Sequence, residues 1–527
     1  MAGAGQAGGP AAGGRRDRVA AVFFGMVALW LADAYAQALV DRMHSYWNWD
    51  GQRLAPVFAV SRGYSLYPRA GEGPPVGYTY GPLSVLAYLP VVVAPDPTTA
   101  LLGAGVLSMA YTFGPVLALL IVATPRGPGR RGAVALGFLL FAIMARNPSL
   151  AYSTMSPAHD AVALGLGLLS CLPLLSREEI GRWPLALSAG LAVLAVSAKQ
   201  NAVTFLPSLS LYCLIAFGAR RALVHAAWLV GLGLALSMVL ARIYGGETLA
   251  YYLFRIQAGL SMPYDHSRTI EMARHFAAES ILPLVLIGVA LSIGPATGVE
   301  GNPPATLRRR LARNPWALPC LVALGDAPLA LMGAVKTGGD VNSMSYTTYF
   351  LASAATLLVA RAGARQDGSY PEAGRRAVRA IAALACSLWI MNQAIAAPAP
   401  IALDRARVAR RLRENPNQVA FDYSKQHPGS AYFPWNSLAV LMAEGRLFAT
   451  EDAIRNVPPP GAGPSYLAAG SDLPGDPEYV AFPPQYQAGW GKYAALGHYP
   501  RHRKPVEVPG LERFTIFGRG QAAARLP

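Results

Sequence analysis

"GPLSVLAYLPVVV", residues 81–93, decides how the rest of the chain is threaded. It is apolar enough to suggest a membrane crossing, but it is short and carries Pro82 and Pro90. Counted as a crossing, it would move "PRGPGRR" (125–131) and every later arginine cluster to the opposite side. Laid along the outer membrane face as an interfacial or re-entrant helix, it lets the basic loops alternate correctly. Arg15, Arg16 and Arg18 then share the inner side with Arg126, Arg130 and Arg131, Arg177 and Arg182, and Arg220 and Arg221. Arg308–Arg310 and Arg313, followed by Arg361, Arg365, Arg375 and Arg376, continue the series. Cytoplasmic loops of membrane proteins carry such an excess of arginine and lysine. The first external loop therefore covers residues 42–97.

Composition agrees with a membrane protein. The 527 residues are 53% hydrophobic and 14% charged, with a mean hydropathy of +0.31. Water-soluble domains of this size are rarely so apolar. The net charge of +16 sits in short clusters between apolar runs, which is a topology signal and excludes nucleic acid as a partner. Cys171, Cys213, Cys320 and Cys386 all lie in apolar runs without ligand-like spacing, so neither structural disulfides nor a metal site is expected.

Runs of spanning length fall at 19–41, 98–123, 133–147, 160–176, 185–199, 202–218, 222–243, 280–298, 316–333, 346–361 and 379–396. These make about eleven helices in a membrane module over residues 19–396. "AYA" before Gln37 resembles a signal cleavage site, but the run is long enough to span and many spans follow, so it is expected to stay. Residues 1–18, rich in glycine and alanine, are expected to form a disordered cytoplasmic tail. Residues 397–527 contain no spanning run. A helix-like stretch at 437–456 and short strand-like runs, "EYVAF" (478–482) and "RFTIF" (513–517), predict a small external α/β domain.

With this threading, charged residues gather at the outer membrane face. Asp50 follows Tyr46, Trp47 and Trp49, aromatic residues of the kind that populate membrane interfaces. Arg53 lies three residues on, hence on the same face of a helix starting near Asp50. His159 and Asp160 open an inward-going helix at the end of "NPSLAYSTMSPAHD" (147–160). Lys199 and Lys336 each end a span on that side. Singly, the acids read as helix N-caps and the lysines as snorkelling side chains. Together they form a polar site bounded by apolar helices, suited to holding a lipid-borne phosphate while a carboxylate accepts a proton.

These residues resemble the GT-C glycosyltransferases that use polyprenyl-phosphate sugars, among them lipid A aminoarabinose transferases and protein O-mannosyltransferases. The resemblance rests on the order of several pieces across most of the chain. An Asp after the first span is followed by an Arg and by "RGYSLYP" (62–68); "YTYGPL" (78–83) precedes the interfacial helix. An Asp after the third span, "AKQN" (198–201) with "LPSL" (206–209), and "KTGGDVN" (336–342) before a late span complete it. It implies an all-α polytopic membrane enzyme of the bacterial inner or plasma membrane, with its site on the extracytoplasmic side. It would transfer a sugar with inversion from a polyprenyl-phosphate carrier to a glycan, lipid or protein acceptor, without a metal or other cofactor. Asp50 would be the base and Asp160 a second acid shaping the site. Arg53, His159, Lys199, Gln200, Lys336, Asn342 and Tyr80 would contact phosphate or sugar. The chain departs from the pattern at Gly51, where a second acid is common, and at Gly81, where some members carry a basic residue. Donor or acceptor handling is therefore expected to differ from that of the lipid A enzymes. The competing class is a transporter or lipid flippase, suggested by Asp33 and Asp326 inside apolar spans.

Overall fold

The computed structural model describes residues 11–44, 49–69, 71–127, 129–157, 159–175, 179–259, 266–292, 314–336, 339–364, 372–396, 404–456, 472–483, 495–502 and 504–519. Helices dominate it. Helix α1 (Ala11–His44) already begins inside the segment that composition assigned to a disordered tail, and residues 1–10 of that segment lie outside the described residues. Helix α2 (Trp49–Ser61) starts the first loop, and α3 (Leu83–Leu86) with a 3₁₀ turn (Leu89–Val93) is all that residues 81–93 form. Neither piece is long enough to cross a bilayer.

Helix α4 (Pro97–Ala123) has a well-made start, with Pro97 in the first turn and the Asp96 carboxylate accepting from Thr99 N at 2.8 Å. Helix α5 (Arg130–Met144) corresponds to the span expected at 133–147, but it stops early. Asn147 is extended, Pro148 opens α6 (Pro148–Met155), and the chain turns through 100° between the two helices. Proline favours the first turn of a new helix over the interior of an old one, so the sequence breaks the span there. Next come α7 (His159–Cys171), α8 (Arg182–Ala198), α9 (Phe205–Phe217) and α10 (Ala219–Tyr244). After the short α11 (Gly246–Ala250) and α12 (Ile256–Gly259) follow α13 (His266–Ser292), α14 (Ala317–Val335), α15 (Ser345–Ala364) and α16 (Glu372–Ala396).

Among the described residues, five helical stretches are long and apolar enough to cross a membrane, or six if α5 and α6 count as one broken span; two shorter apolar helices cover His159–Leu174 and Arg182–Ala198. The chain is thus a multi-pass integral membrane protein. Helix α15, expected as a span at 346–361, lies outside this set. It is buried almost throughout, including Ser345, Thr347, Thr348, Ser353, Thr356 and Arg361, and is too polar for lipid but well suited to a bundle interior. It packs on α14, α5 and α13. Tyr349 Oη donates to Thr112 O of α4 at 2.8 Å, and Tyr35 Oη of α1 donates to Ala142 O of α5 at 2.8 Å. In a medium without water such interhelical bonds are how polar groups are satisfied.

The two intramembrane acids are hydrogen-bonded as well. Asp326 accepts from Thr204 and Thr347, each at 2.7 Å, and Asp33 accepts from Gln37 at 2.6 Å. The Asp326 bonds tie α14 to α15 and to the turn before α9, the Asp33 bond lies within α1, and neither gives the transporter reading support.

Residues 404–519 pack on the first loop. They form α17 (Arg405–Arg413), α18 (Pro416–Gln426), α19 (Ser437–Glu444) and α20 (Glu451–Asn456), with a four-stranded sheet of order β1-β2-β4-β3. Strands β1 (Ala431–Tyr432) and β2 (Tyr479–Phe482) are parallel, while β4 (Thr515–Gly518) runs antiparallel to both β2 and β3 (Lys504–Val506). Pro505 is tolerated because β3 is an edge strand. The single helix expected at 437–456 is instead two, separated at Gly445, whose φ of +73° suits glycine and ends α19. Phe433, Val440, Ala481, Leu511 and Ile516 form the core between sheet and helices.

Candidate active site

Two carboxylates organise the site. Asp50 lies in the first turn of α2, where a negative charge is favoured by the helix dipole. It does more than cap that helix. Arg42, near the end of α1, grips it with both arms, Nε to Oδ2 at 2.5 Å and Nη2 to Oδ1 at 2.9 Å. Ser156 Oγ, just beyond α6, donates to Oδ1 at 2.5 Å and in turn accepts from Arg53 Nη1 at 3.3 Å. The Tyr152 ring lies 4.7 Å from the Arg42 guanidinium and 4.9 Å from that of Arg53. Burial pushes the Asp50 carboxyl up, but Arg42 and Ser156 outweigh it and hold it below the usual carboxylate range. Burial works against the charge on Arg53 as well, yet Tyr152, Asp50, Tyr80 and Asp160 raise its pKa and keep it a cation.

The second acid is Asp160, in the first turn of α7. Lys199, the C-cap of α8, donates to its Oδ1, and His159 Nε2 lies 3.2 Å from Oδ2. The pair joins the favourable end of one helix dipole to that of another. Its lid is aromatic. Tyr80 stacks on His159 with centroids 3.4 Å apart, and the Lys199 ammonium lies 5.8 Å from the Tyr80 ring and 5.3 Å from Tyr346. Burial pushes the Tyr80 phenol up to about 12, so it remains protonated.

The other expected residues stand around this centre. Gln200 donates to Thr79 O at 2.9 Å and Leu253 O at 3.1 Å, so its amide nitrogen clasps the loop that carries Tyr80. Lys336 donates to Gln257 O, and Gln257 Nε2 to Thr79 Oγ1 at 2.8 Å, which brings Lys336 to the same loop through one intermediary. Asn342 is half-buried in the 3₁₀ turn Val341–Met344, which packs against α6 and α14. Tyr46 and Trp47 fall outside the described residues; Trp49 packs edge-on against Trp435 with centroids 5.2 Å apart. Sequence reasoning missed Arg42, Tyr152 and Ser156. A sign was present: Tyr152 and Ser156 are polar, one helical turn apart, in the segment leading to His159 and Asp160.

Gly51 and Gly81 have a steric reason. A Cβ on Gly51 would lie 2.4 Å from Asn417 Oδ1, and one on Gly81 would lie 1.9 Å from Ser197 O. The space a side chain needs at each position is filled by another part of the chain.

The chain superimposes on the crystal structure of ArnT from Cupriavidus metallidurans, solved with undecaprenyl phosphate bound, with a TM-score of 0.54 over 96% of this chain and 98% of that one. Identity is 12%, so the likeness is one of fold. No family model matches the sequence, and no curated protein sequence matches it significantly.

Proposed function

We propose that this chain is an inverting glycosyltransferase that moves a sugar from a polyprenyl-phosphate carrier to a glycan, lipid or protein acceptor on the extracytoplasmic side of the membrane. The observation that carries the reading is the meeting of Asp50 and Arg53 with Asp160 and Lys199 in a fold shared with a protein that binds undecaprenyl phosphate. Arg42, Arg53 and Lys199 outnumber the two acids, and a surplus of cations suits a phosphate.

In this reading the acceptor oxygen attacks the anomeric carbon as the bond from that carbon to the phosphate oxygen breaks. The acceptor proton passes to Asp50, and the electron pair leaves with the polyprenyl phosphate. Arg53 is charged and half-buried, with a 3.3 Å bond to Ser156, and is the cation best placed to meet the departing phosphate. Lys336 assists from the loop beyond α14. Lys199, expected to touch phosphate, is instead spent on Asp160, so that pair positions Tyr80 and His159. Gln200 and Asn342 shape the surrounding loops.

Membranes containing the chain, incubated with a panel of radiolabelled polyprenyl-phosphate sugars, will pass label from one of them to an acceptor and release polyprenyl phosphate. Solute flux without any label transfer would overturn the assignment.

A further inference from the structure

We infer that α17, "RARVARRLR" (405–413), is a docking surface for the phosphates of anionic membrane lipids. The helix has two dissimilar sides. At 3.6 residues per turn, Arg405, Ala406, Ala409, Arg410 and Arg413 share one side, and all five are exposed. Arg407, Val408, Arg411 and Leu412 share the other and are partly buried. On the inner side the arginines have acids: Arg407 lies 3.6 Å from Asp404, and Arg411 pairs with Asp41. The nearby Glu414 is held by Arg513 at 2.5 Å. On the outer side three guanidiniums are separated only by alanines, and the described residues offer them no carboxylate partner.

Position selects the occupant. Asp41 directly follows the apolar run of α1, so the Arg411 pair fixes α17 at the level where hydrocarbon gives way to headgroups, and Leu412 packs against the main core. Arginines at that depth are attracted to anionic lipids, each contributing about a fivefold preference. The surface also adjoins the site: Asp41 is the neighbour of Arg42, which holds Asp50. The inference concerns a face that takes no part in sugar transfer and stands whether or not that function does.

The test uses the full-length protein, stripped of lipid in detergent and titrated with phosphatidylglycerol or phosphatidylcholine while bound lipid is counted by native mass spectrometry. The wild type will bind phosphatidylglycerol at least tenfold more tightly. The triple variant Arg405→Gln/Arg410→Gln/Arg413→Gln will bring the two lipids within about twofold, and the matching lysine triple will keep the preference. Arg410→Gln alone, which guards against misfolding of the triple variant, will lose about fivefold. The inference fails if the glutamine variants keep the full preference. It fails equally if inorganic phosphate at the lipid's concentration displaces the lipid, or if a soluble polyanionic glycan binds the face and lipid shows no preference.

Discussion

The two carboxylate centres are built from the same groups and placed very differently. Asp50 keeps 14% of its side chain exposed, takes three hydrogen bonds from Arg42 and Ser156, and lies beside the half-buried Arg53. Asp160 has none of its side chain exposed, and its partner Lys199 has only 5%. A sealed ion pair cannot exchange its proton or bind an anion without first opening, whereas an ionised acid at the margin can accept a proton in place while the neighbouring Arg53 meets the anion. In the proposed mechanism this difference suits Asp50 to the reaction and Asp160 to the scaffold that holds Tyr80 and His159.

The largest effect that would break this division is at Lys199. Lys199→Ala leaves Asp160 as an unpaired buried charge, which costs about 3–5 kcal/mol. The variant should melt far below the wild type in detergent, and the double variant Lys199→Met/Asp160→Leu should recover much of the loss. A stable Lys199→Ala protein with weakened binding of polyprenyl phosphate would move Lys199 into the site instead.

Gly81→Ala comes next. Its Cβ would meet a backbone carbonyl of Ser197, and backbone yields less readily than a side-chain end, so a loss of about 1–3 kcal/mol is expected in thermal unfolding. An unchanged melting temperature would show that the loop is not wedged there.

Gly51→Ala is a milder case, because the obstacle is the Asn417 side chain. Its cost should shrink in an Asn417→Ala background, with a coupling of about 1 kcal/mol in a double-mutant cycle. Equal costs in both backgrounds would mean that the C-terminal segment does not brace the helix bearing Asp50.

What the sequence made legible follows from the range of the interactions. Asp50 with Arg53, and His159 with Asp160, stood out because charged residues between apolar runs are conspicuous and their partners are local. The short segment at 81–93 was readable as non-spanning because the arginine loops constrain it from a distance. Arg42 was not, since a cation at the end of a span looks like any interfacial arginine until the fold brings Asp50 back against it. Ser156 and Asn417 were hidden for the same reason, each meeting its partner across a long sequence separation. The span expected at 133–147 ends just before Pro148, but the short helix α6 after it and the 100° bend between the two were not read, because a hydropathy reading cannot see a change of direction.

The division of labour is tested most directly by initial transfer rates and polyprenyl-phosphate binding for Asp50→Asn, measured from neutral to acidic pH. The wild-type carboxyl is held below its ordinary range, so it stays ionised as pH falls and is lost as a base only when pH drops through that lowered value. Wild-type rates should therefore show their acidic limb below the ordinary carboxylate range. Asp50→Asn keeps the shape and removes the basicity. Transfer should fall about 100-fold or more, with no acidic limb from this group, while carrier binding through Arg53 stays near wild type. Near-normal turnover by Asp50→Asn would contradict the account and leave the Arg42–Asp50 pair as a purely structural clasp.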